Sequence, residues 1–338
     1  MNASRLLLLA LLLCAPALAQ PAAATHFNLK RPEIESFVNE VVARDGLTRK
    51  EVRALLKAAQ PQPKIIDAMN RPLEKVSPWY EYRAHFLTPD RIDQGVQFWN
   101  EHKEALARIS EQYQVPPEYL VAIVGVETRY GRNTGHYRVL DALATLAFDY
   151  PPRQKYFRSE LAQFLVLAKE NKLDPLTLTG SYAGAMGVPQ FMPSVYRHYA
   201  VDASGDAHRD LWGNWDDIFA SVANYLREYG WTPGALVLSE TTIEPDANFQ
   251  IEPKNLTLND TVGSLAGHGV RLVSEQPPET PALLISAEQA DGPAYRVGFH
   301  NFYVLTRYNN SARYAMAVYE LAQALDQRVA GATAATAP

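Results

Sequence analysis

Cysteine is nearly absent: Cys14 is the only one in 338 residues. No disulfide can form within such a chain, so its stability has to come from packing. Long apolar runs are scarce too. The run at residues 6–13 is too short to span a bilayer as a permanent anchor, so no transmembrane segment is expected in the mature form. A surplus of either charge is also missing. With 32 Lys and Arg against 37 Asp and Glu, the formal net charge is −5, and no run of like charge or repeated unit stands out. That excludes the basic footprint of a nucleic-acid binder.

What the chain does have is 47% hydrophobic residues over a length that allows a sizeable core and two or three domains. Residues 1–19 have the pattern of a secretory signal: Arg5, the apolar run, then Ala17-Leu18-Ala19 before Gln20. The expectation is export, with cleavage after Ala19, to give a soluble periplasmic protein. The alternative is an outer-membrane lipoprotein anchored through Cys14. The Leu-Leu-Leu-Cys setting resembles a bacterial lipoprotein box, but Leu13 stands where a small residue belongs. Residues 20–32 are expected to be flexible and 327–338, rich in Ala and Thr, to be disordered.

Helical spacing governs 33–114. Ile34, Phe37, Val38, Val41 and Val42 follow Pro32-Glu33, Asp45-Gly46 breaks the pattern, and Thr48 with Glu51 forms a capping box for the next helix. Thr88-Pro89-Asp90 opens a longer helix with Ile92, Val96, Phe98 and Trp99. Between them the aromatic cluster at 77–83 includes Tyr82, which is either core or a ring for the apolar face of a sugar. Residues 115–234 carry the densest helical patterning, with apolar helices over 141–148, 157–171 and 221–229. Residues 180–193 admit small side chains repeatedly, which would let the backbone come close to a ligand. From 235 to 299 the period shortens to alternation (Leu236, Leu238; Leu283, Ile285; Tyr295, Val297), which predicts a small antiparallel β insertion. Residues 300–326 return to helix, with Tyr314, Val318 and Leu321 on one face, and rejoin the core. The fold class expected is mainly α (α+β).

Pattern and chemistry meet at 119–132. Leu120, Ile123, Val124 and Glu127 recur at helical spacing, which puts a carboxylate on an apolar stripe. Pro116-Pro117 suits the start of that helix and Tyr130-Gly131 its stop. A carboxylate ending a buried stripe is desolvated, which disfavours its charged form and suits a general acid near neutral pH. The competing reading is a structural ion pair of Glu127 with Arg129 or Arg132.

Four stretches then carry a resemblance. Glu127-Thr-Arg-Tyr-Gly131, Gly180-Ser-Tyr-Ala-Gly-Ala-Met-Gly187, Gln190-Phe-Met-Pro-Ser194 and Arg307-Tyr-Asn-Asn-Ser311 resemble the signatures of the bacterial lytic murein transglycosylases of the B type, glycoside hydrolase family 103. Order and separation agree, over roughly residues 33–325. The resemblance implies a lysozyme-like catalytic core, placed here at 115–234 and 300–326, with a helical domain (33–114) and a small β domain (235–299). It implies cleavage of the β-1,4 bond between N-acetylmuramic acid and N-acetylglucosamine of peptidoglycan strands, leaving a 1,6-anhydromuramic acid end. No cofactor is implied for catalysis, and other cell-wall enzymes are potential partners.

Within that family chemistry one glutamic acid, here Glu127, serves as acid and then as base. Ser181 and Gln190 match positions that bind saccharide or lie beside the acid. Tyr308 and Asn309 match late-chain contacts over the cleft, and Tyr82 and Tyr314 are counted with the substrate-binding residues. Arg153 matches a substrate contact, but Pro152 replaces the arginine that often precedes it, which puts a paired-arginine clamp in doubt. A structural Ca²⁺ is a further expectation. Asp202, Ser204 and Asp206 at alternating positions, followed by the carbonyl of His208, resemble the opening of an EF-hand loop. Ala207 stands where that loop expects glycine and Gly213 where it expects glutamate; Asp216 matches the family's variant closing ligand.

Two rival functions remain at this level. A hydrolytic muramidase would pair Glu127 with a second carboxylate, the nearest downstream being Asp141 and Asp149, both of which look structural. A non-catalytic peptidoglycan-binding scaffold would need neither.

Overall fold

The helices begin where the sequence supplies caps and prolines. The computed structural model describes residues 25–71, 77–252 and 256–336; the signal segment and Cys14 lie outside them. Six helices come first: α1 (Pro32–Arg44), α2 (Arg49–Ala58), α3 (Pro63–Met69), α4 (Trp79–Ala84), α5 (Pro89–Glu101) and α6 (Lys103–Tyr113). Thr48 and Glu51 make the reciprocal capping box at the start of α2, and the Thr88 side chain caps α5 by accepting from Arg91 N–H. Next come α7 (Pro117–Thr128), β1 (Tyr137–Arg138), α8 (Val139–Asp149), α9 (Gln154–Glu170), β2 (Thr179–Gly180), α10 (Pro193–Tyr199) and α11 (Trp215–Glu228). The insertion holds β3 (Leu238–Ile243), β4 (Asp260–Thr261), α12 (Val262–Gly267), β5 (Val270–Leu272), β6 (Pro281–Ser286) and β7 (Tyr295–Gly298), and α13 (His300–Tyr308) and α14 (Ala312–Thr336) close the chain.

The mainly helical class with a small antiparallel sheet is what the structure has. Five strands run in the order β4-β6-β7-β3-β5, every neighbour antiparallel. The sheet buries both faces. Leu238, Leu283 and Ile285 join the helical core, while Ala282, Leu284, Val297 and Val270 form a second, smaller cluster with Leu265 and Phe299. No break in apolar packing falls near residue 114: α1 to α6 share one buried cluster with α7, α8, α9, α11 and α14.

Both expected loose ends are ordered where described. In the segment before α1, Phe27 packs edge-on against Phe148. Arg31 donates to the Phe148 carbonyl (2.6 Å) and pairs with Asp149 (2.6 Å). A guanidinium there meets the carbonyl end of α8, a position that favours a cation. At the other end α14 runs to Thr336, so 327–336 is helical. The Ala content that suggested a disordered tail is also the composition of highest helix propensity, and Arg328 pairs with Asp93 (3.2 Å).

α7 runs through the middle of the core. Tyr119 to Gly125 are all buried, as are Leu120, Ile123 and Val124 of the expected stripe. A helix apolar on every side is an enclosed one, so the stripe widens to the whole circumference. Its end is a tight left-handed turn, with Arg129 (φ 53), Tyr130 (φ 60) and Gly131 (φ 78) in succession. Left-handed conformation costs roughly 1 kcal/mol for each non-glycine residue, and packing offsets it. The Tyr130 ring wedges between Gly95 of α5 and Gly125 of α7, and its hydroxyl donates to the Arg91 carbonyl (3.0 Å).

A Cβ at Gly125 would lie 2.6 Å from Tyr130 Cε1. Helix propensity alone favours Gly→Ala by about 1 kcal/mol, whereas overpacking costs about 1–3 kcal/mol. Gly125→Ala is therefore expected to lower the melting temperature. Gly267→Ala, whose added methyl meets nothing within 4 Å, should melt at or above wild type; calorimetry of both variants checks the contrast.

Candidate active site

Glu127 is the penultimate residue of α7, half-buried, and Thr128 separates it from the left-handed turn. Its Oε1 accepts a 2.7 Å hydrogen bond from the hydroxyl of Tyr314, a residue of α14 that is 2% exposed. Burial, and next the charge of Glu127, push the Tyr314 phenol well above its ordinary pKa. It therefore keeps its proton and acts as a donor. Tyr314 is thus placed behind the acid, where its hydroxyl orients the carboxylate.

Tyr308 stacks on Tyr314 (ring centroids 6.2 Å apart, 12° between planes) and donates to the Pro189 carbonyl (2.8 Å). Burial and then Glu127 also hold its phenol well above the usual value. The break between α13 and α14 at 309–311 allows this stack; a continuous helix was expected there. Asn309 is half-buried in that break, with its carbonyl accepting from Ser311 N–H. Tyr82 is 6% exposed and packed against Trp79 and Phe86. Its ring is packed within the core, with little of its face open for a sugar.

The loop at 180–193 closes against the same place. Ser181 Oγ accepts from the N–H groups of Ala183 (3.3 Å) and Ala185 (3.0 Å), which leaves its O–H to donate. Gln190, in left-handed conformation (φ 52), donates its amide to the carbonyls of Thr134 (3.1 Å) and Gly187 (2.9 Å), which leaves the amide oxygen as acceptor. The small residues serve the loop's own packing. A Cβ at Gly180 would sit 2.2 Å from the Ala185 carbonyl oxygen, and one at Gly135 would sit 2.0 Å from that of Gly180. Thr128 fastens the loop to the acid's helix: its buried hydroxyl donates to the Val188 carbonyl (3.0 Å) and accepts from Gly131 N–H (3.1 Å).

Glu127 also lines a hollow of about 490 Å³, together with Arg91, Val126, Thr128, Arg129, Arg132 and Asn133. Arg129 is turned to Asp90 and Gln94. Sequence reasoning missed Arg91 entirely. It sits one turn into α5 with no motif around it, and only the fold brings it to the hollow.

Other candidates lie elsewhere. Arg153 stacks on Tyr156 (4.2 Å) in a separate hollow with Pro151 and Pro152, and the two linings share no residue. Asp141 is buried, paired with Arg138 (2.6 Å) and accepting from Gln60 N–H (2.8 Å), while Asp149 holds Arg31. Both carboxylates are engaged within the fold.

The acidic loop folds as a turn. Asp202 accepts from Gly205 N–H (2.7 Å), Ala207 N–H (2.8 Å) and the Ser204 hydroxyl, and Asp206 from His208 N–H (2.8 Å). Ala207 adopts the left-handed conformation (φ 66) expected of a glycine. The loop's expected closing ligand, Asp216, is paired instead with Arg108. Asp217, fully buried and unremarked in the sequence, closes the loop by accepting from Ala203, Ser204 and Asp210 N–H groups. Among the described residues no group of three or more His, Cys, Asp and Glu side chains gathers for a metal.

Comparison with known proteins identifies the family. The transglycosylase SLT domain family matches residues 30–323. The chain is 41% identical, over 305 residues, to the membrane-bound lytic murein transglycosylase B of Escherichia coli, covering 87% of this chain and 82% of that protein. Among solved structures, the catenated lytic transglycosylase SltB1 of Pseudomonas aeruginosa is 45% identical (TM-score 0.84), over 88% of this chain and 98% of that one. The Escherichia coli lytic transglycosylase Slt35 in complex with calcium is 38% identical (TM-score 0.81), over 90% and 96%. The chain belongs to the transglycosylase SLT-domain family of lytic murein transglycosylases.

Proposed function

We propose that the protein is a peptidoglycan lytic transglycosylase in which Glu127 is the only acid/base. The observation that carries this is the placement of Glu127: at the end of an enclosed helix, oriented by a buried phenol, facing an open hollow. Protonated Glu127 donates to the glycosidic oxygen as the bond to muramic acid C1 breaks. The resulting carboxylate takes the proton of the muramic acid C6 hydroxyl, whose oxygen closes on C1. The proton count returns to its start and no water is consumed. The substrate's own N-acetyl group can support positive charge at C1 in between. Ser181 and Gln190 present a donor and an acceptor to sugar hydroxyls and amides, and Tyr308 and Asn309 border the same cleft. Arg153 meets a more distant part of the strand. The engagement of Asp141 and Asp149 in structural pairs favours this one-carboxylate route over a hydrolytic muramidase.

Mass spectrometry of purified peptidoglycan digested by wild type, Glu127→Gln and Tyr314→Phe tests the reading. Wild type should release anhydromuropeptides. Glu127→Gln should lose about 10²–10⁴-fold in rate, the usual contribution of a general acid. Tyr314→Phe removes a hydrogen bond to a charged group, about 1.5–3 kcal/mol, and should lose about 10–100-fold in kcat with KM little changed. Reducing ends one water heavier would sink the transglycosylase route, and full activity of Glu127→Gln would remove Glu127 from it.

The loop at 202–216 is proposed to hold a structural calcium ion through Asp202, Ser204, Asp206 and the His208 carbonyl, with Asp216 joining once released from Arg108. The Slt35 calcium complex supports this reading. Calcium should raise the melting temperature of chelator-treated protein, and Asp202→Ala should abolish the increase; equal melting with and without calcium would contradict it.

No described helix is long and apolar enough to cross a membrane. Export with cleavage after Ala19 predicts a mature protein beginning at Gln20, which N-terminal sequencing reads directly. A diacylglyceryl group on Cys14 would establish the lipoprotein alternative instead.

A further inference from the structure

Charged side chains are rarely enclosed, yet an ionic cluster fills the space between the β insertion and α14. Arg296 of β7 is 9% exposed. Its Nη1 donates to Glu320 of α14 (2.7 Å) and its Nη2 to Glu240 of β3 (2.8 Å). The second oxygen of Glu320 accepts from Arg83 of α4. The Arg296 guanidinium lies over the fully buried Trp79 ring (5.8 Å), and its Nε is buried with no hydrogen-bond partner among the described residues. Burial opposes the charge, and the two carboxylates more than offset it, so the Arg296 pKa is raised. Stability alone does not account for such a cluster. An enclosed ion pair loses in hydration much of what it gains in attraction, and apolar residues of the same volume often serve as well. What hydrogen-bonded ions add is direction, because they fix the angle at which two elements meet.

The attachments of α14 bracket Tyr314. Just before it, Arg313 donates to the Ser77 carbonyl at the approach to α4 and lies over the Tyr82 ring (5.7 Å). In the second turn beyond it, Glu320 holds Arg83 and Arg296. The start of α4 is itself tied to the insertion, since Tyr80 N–H donates to the Glu288 carbonyl (3.2 Å). Apolar packing is non-directional and resists rotation of a helix only weakly. With Cα atoms about 2.3 Å from the axis and a phenol oxygen several ångströms further out, a turn of about 10° would carry that oxygen about 1.5 Å sideways. A shift of that size breaks a hydrogen bond.

We infer that Arg296 is a positioning residue: through Glu320 it fixes the rotation of α14 and so keeps the Tyr314 hydroxyl on Glu127. The inference rests on the function proposed above, in which Tyr314 orients the acid. Arg296 is not among the residues lining the hollow beside Glu127; its effect on the reaction passes through α14.

The test is a double-mutant cycle on kcat and KM for cleavage of soluble glycan strands, with wild type, Arg296→Met, Tyr314→Phe and the two combined. Arg296→Met keeps an apolar side chain against Trp79 and removes the charge. It should lower kcat about tenfold, the scale expected of a misplaced catalytic group, and leave KM within about twofold. In the Tyr314→Phe background the same substitution should change kcat by less than about twofold, because residues that act through one contact are not additive. Arg296→Lys, which keeps one charged bond to Glu320, should recover part of the loss. Glu320→Gln repeats the cycle from the α14 side should Arg296→Met fail to fold, and melting curves decide that. An unchanged kcat in Arg296→Met, a loss carried mainly by KM, or an equal loss in both backgrounds would overturn the positioning role alone. Equal kcat for wild type and Tyr314→Phe would overturn it together with the role given to Tyr314. Product masses are scored separately, so the transglycosylase reading can fail while the cycle still reports on Arg296.

Discussion

The hydrogen bond from Tyr314 to Glu127 joins residues 187 positions apart, and the rest of the architecture serves to make it. A carboxylate at the end of an enclosed helix loses hydration, and an unsatisfied one would cost several kcal/mol. The donor has to come from a rigid element, and α14 is held from two sides. It packs along α7 within the core. One turn and a half beyond Tyr314, Glu320 pairs with Arg296 of β7 (2.7 Å) and with Arg83 of α4. Arg296 in turn pairs with Glu240 of β3 (2.8 Å) and lies over the Trp79 ring (5.8 Å). The β insertion, remote from the bond-breaking atoms, therefore helps fix the helix that orients the acid. This links the excursion between α11 and α13 to the return of the chain to the middle of the molecule.

The second constraint is the turn after α7. Three successive left-handed residues are unfavourable in isolation, and strain of this kind persists only where surrounding structure over-determines it. Tyr130 in its glycine-lined slot, Arg129 on Asp90 and the Thr128 hydroxyl on Val188 do so together. The turn swings the chain away immediately after Glu127, which leaves the carboxylate at the opening, and Thr128 ties that opening to the loop bearing Ser181 and Gln190. Site and scaffold are here the same few contacts.

Much of this was legible in the sequence. Local signals translated directly: the capping box at Thr48 and Glu51, the proline start of α7, and the alternation that became β3, β6 and β7. The place of Glu127 at the end of an enclosed helix was legible because its carboxylate conflicts with the apolar pattern around it, and such conflicts single out candidate sites. What escaped was non-local or ambiguous. Arg91 reaches the hollow only through the packing of α5 on α7. Asp217 was passed over for its neighbour Asp216 because a helix start carries both, and only burial distinguishes them. Residues 327–336 looked disordered because composition rich in Ala and Thr is shared by tails and by helices. The N-terminal segment looked loose because no local pattern announces an arm pinned by Arg31 to α8, more than a hundred residues away.

The electrostatics of the hollow bear on how the reaction proceeds. A lysozyme-type hydrolase sets a second carboxylate against the positive charge that develops at the anomeric carbon. Here the nearest downstream aspartates are committed to Arg138 and Arg31, while the wall before Glu127 is cationic. Such a wall destabilises a free oxocarbenium ion. It favours a route in which the positive charge is quenched within the substrate, first by the acetamide oxygen and then by the C6 oxygen. The features that make the site poor for a two-carboxylate hydrolase thus suit a transglycosylase whose substrate brings its own nucleophile.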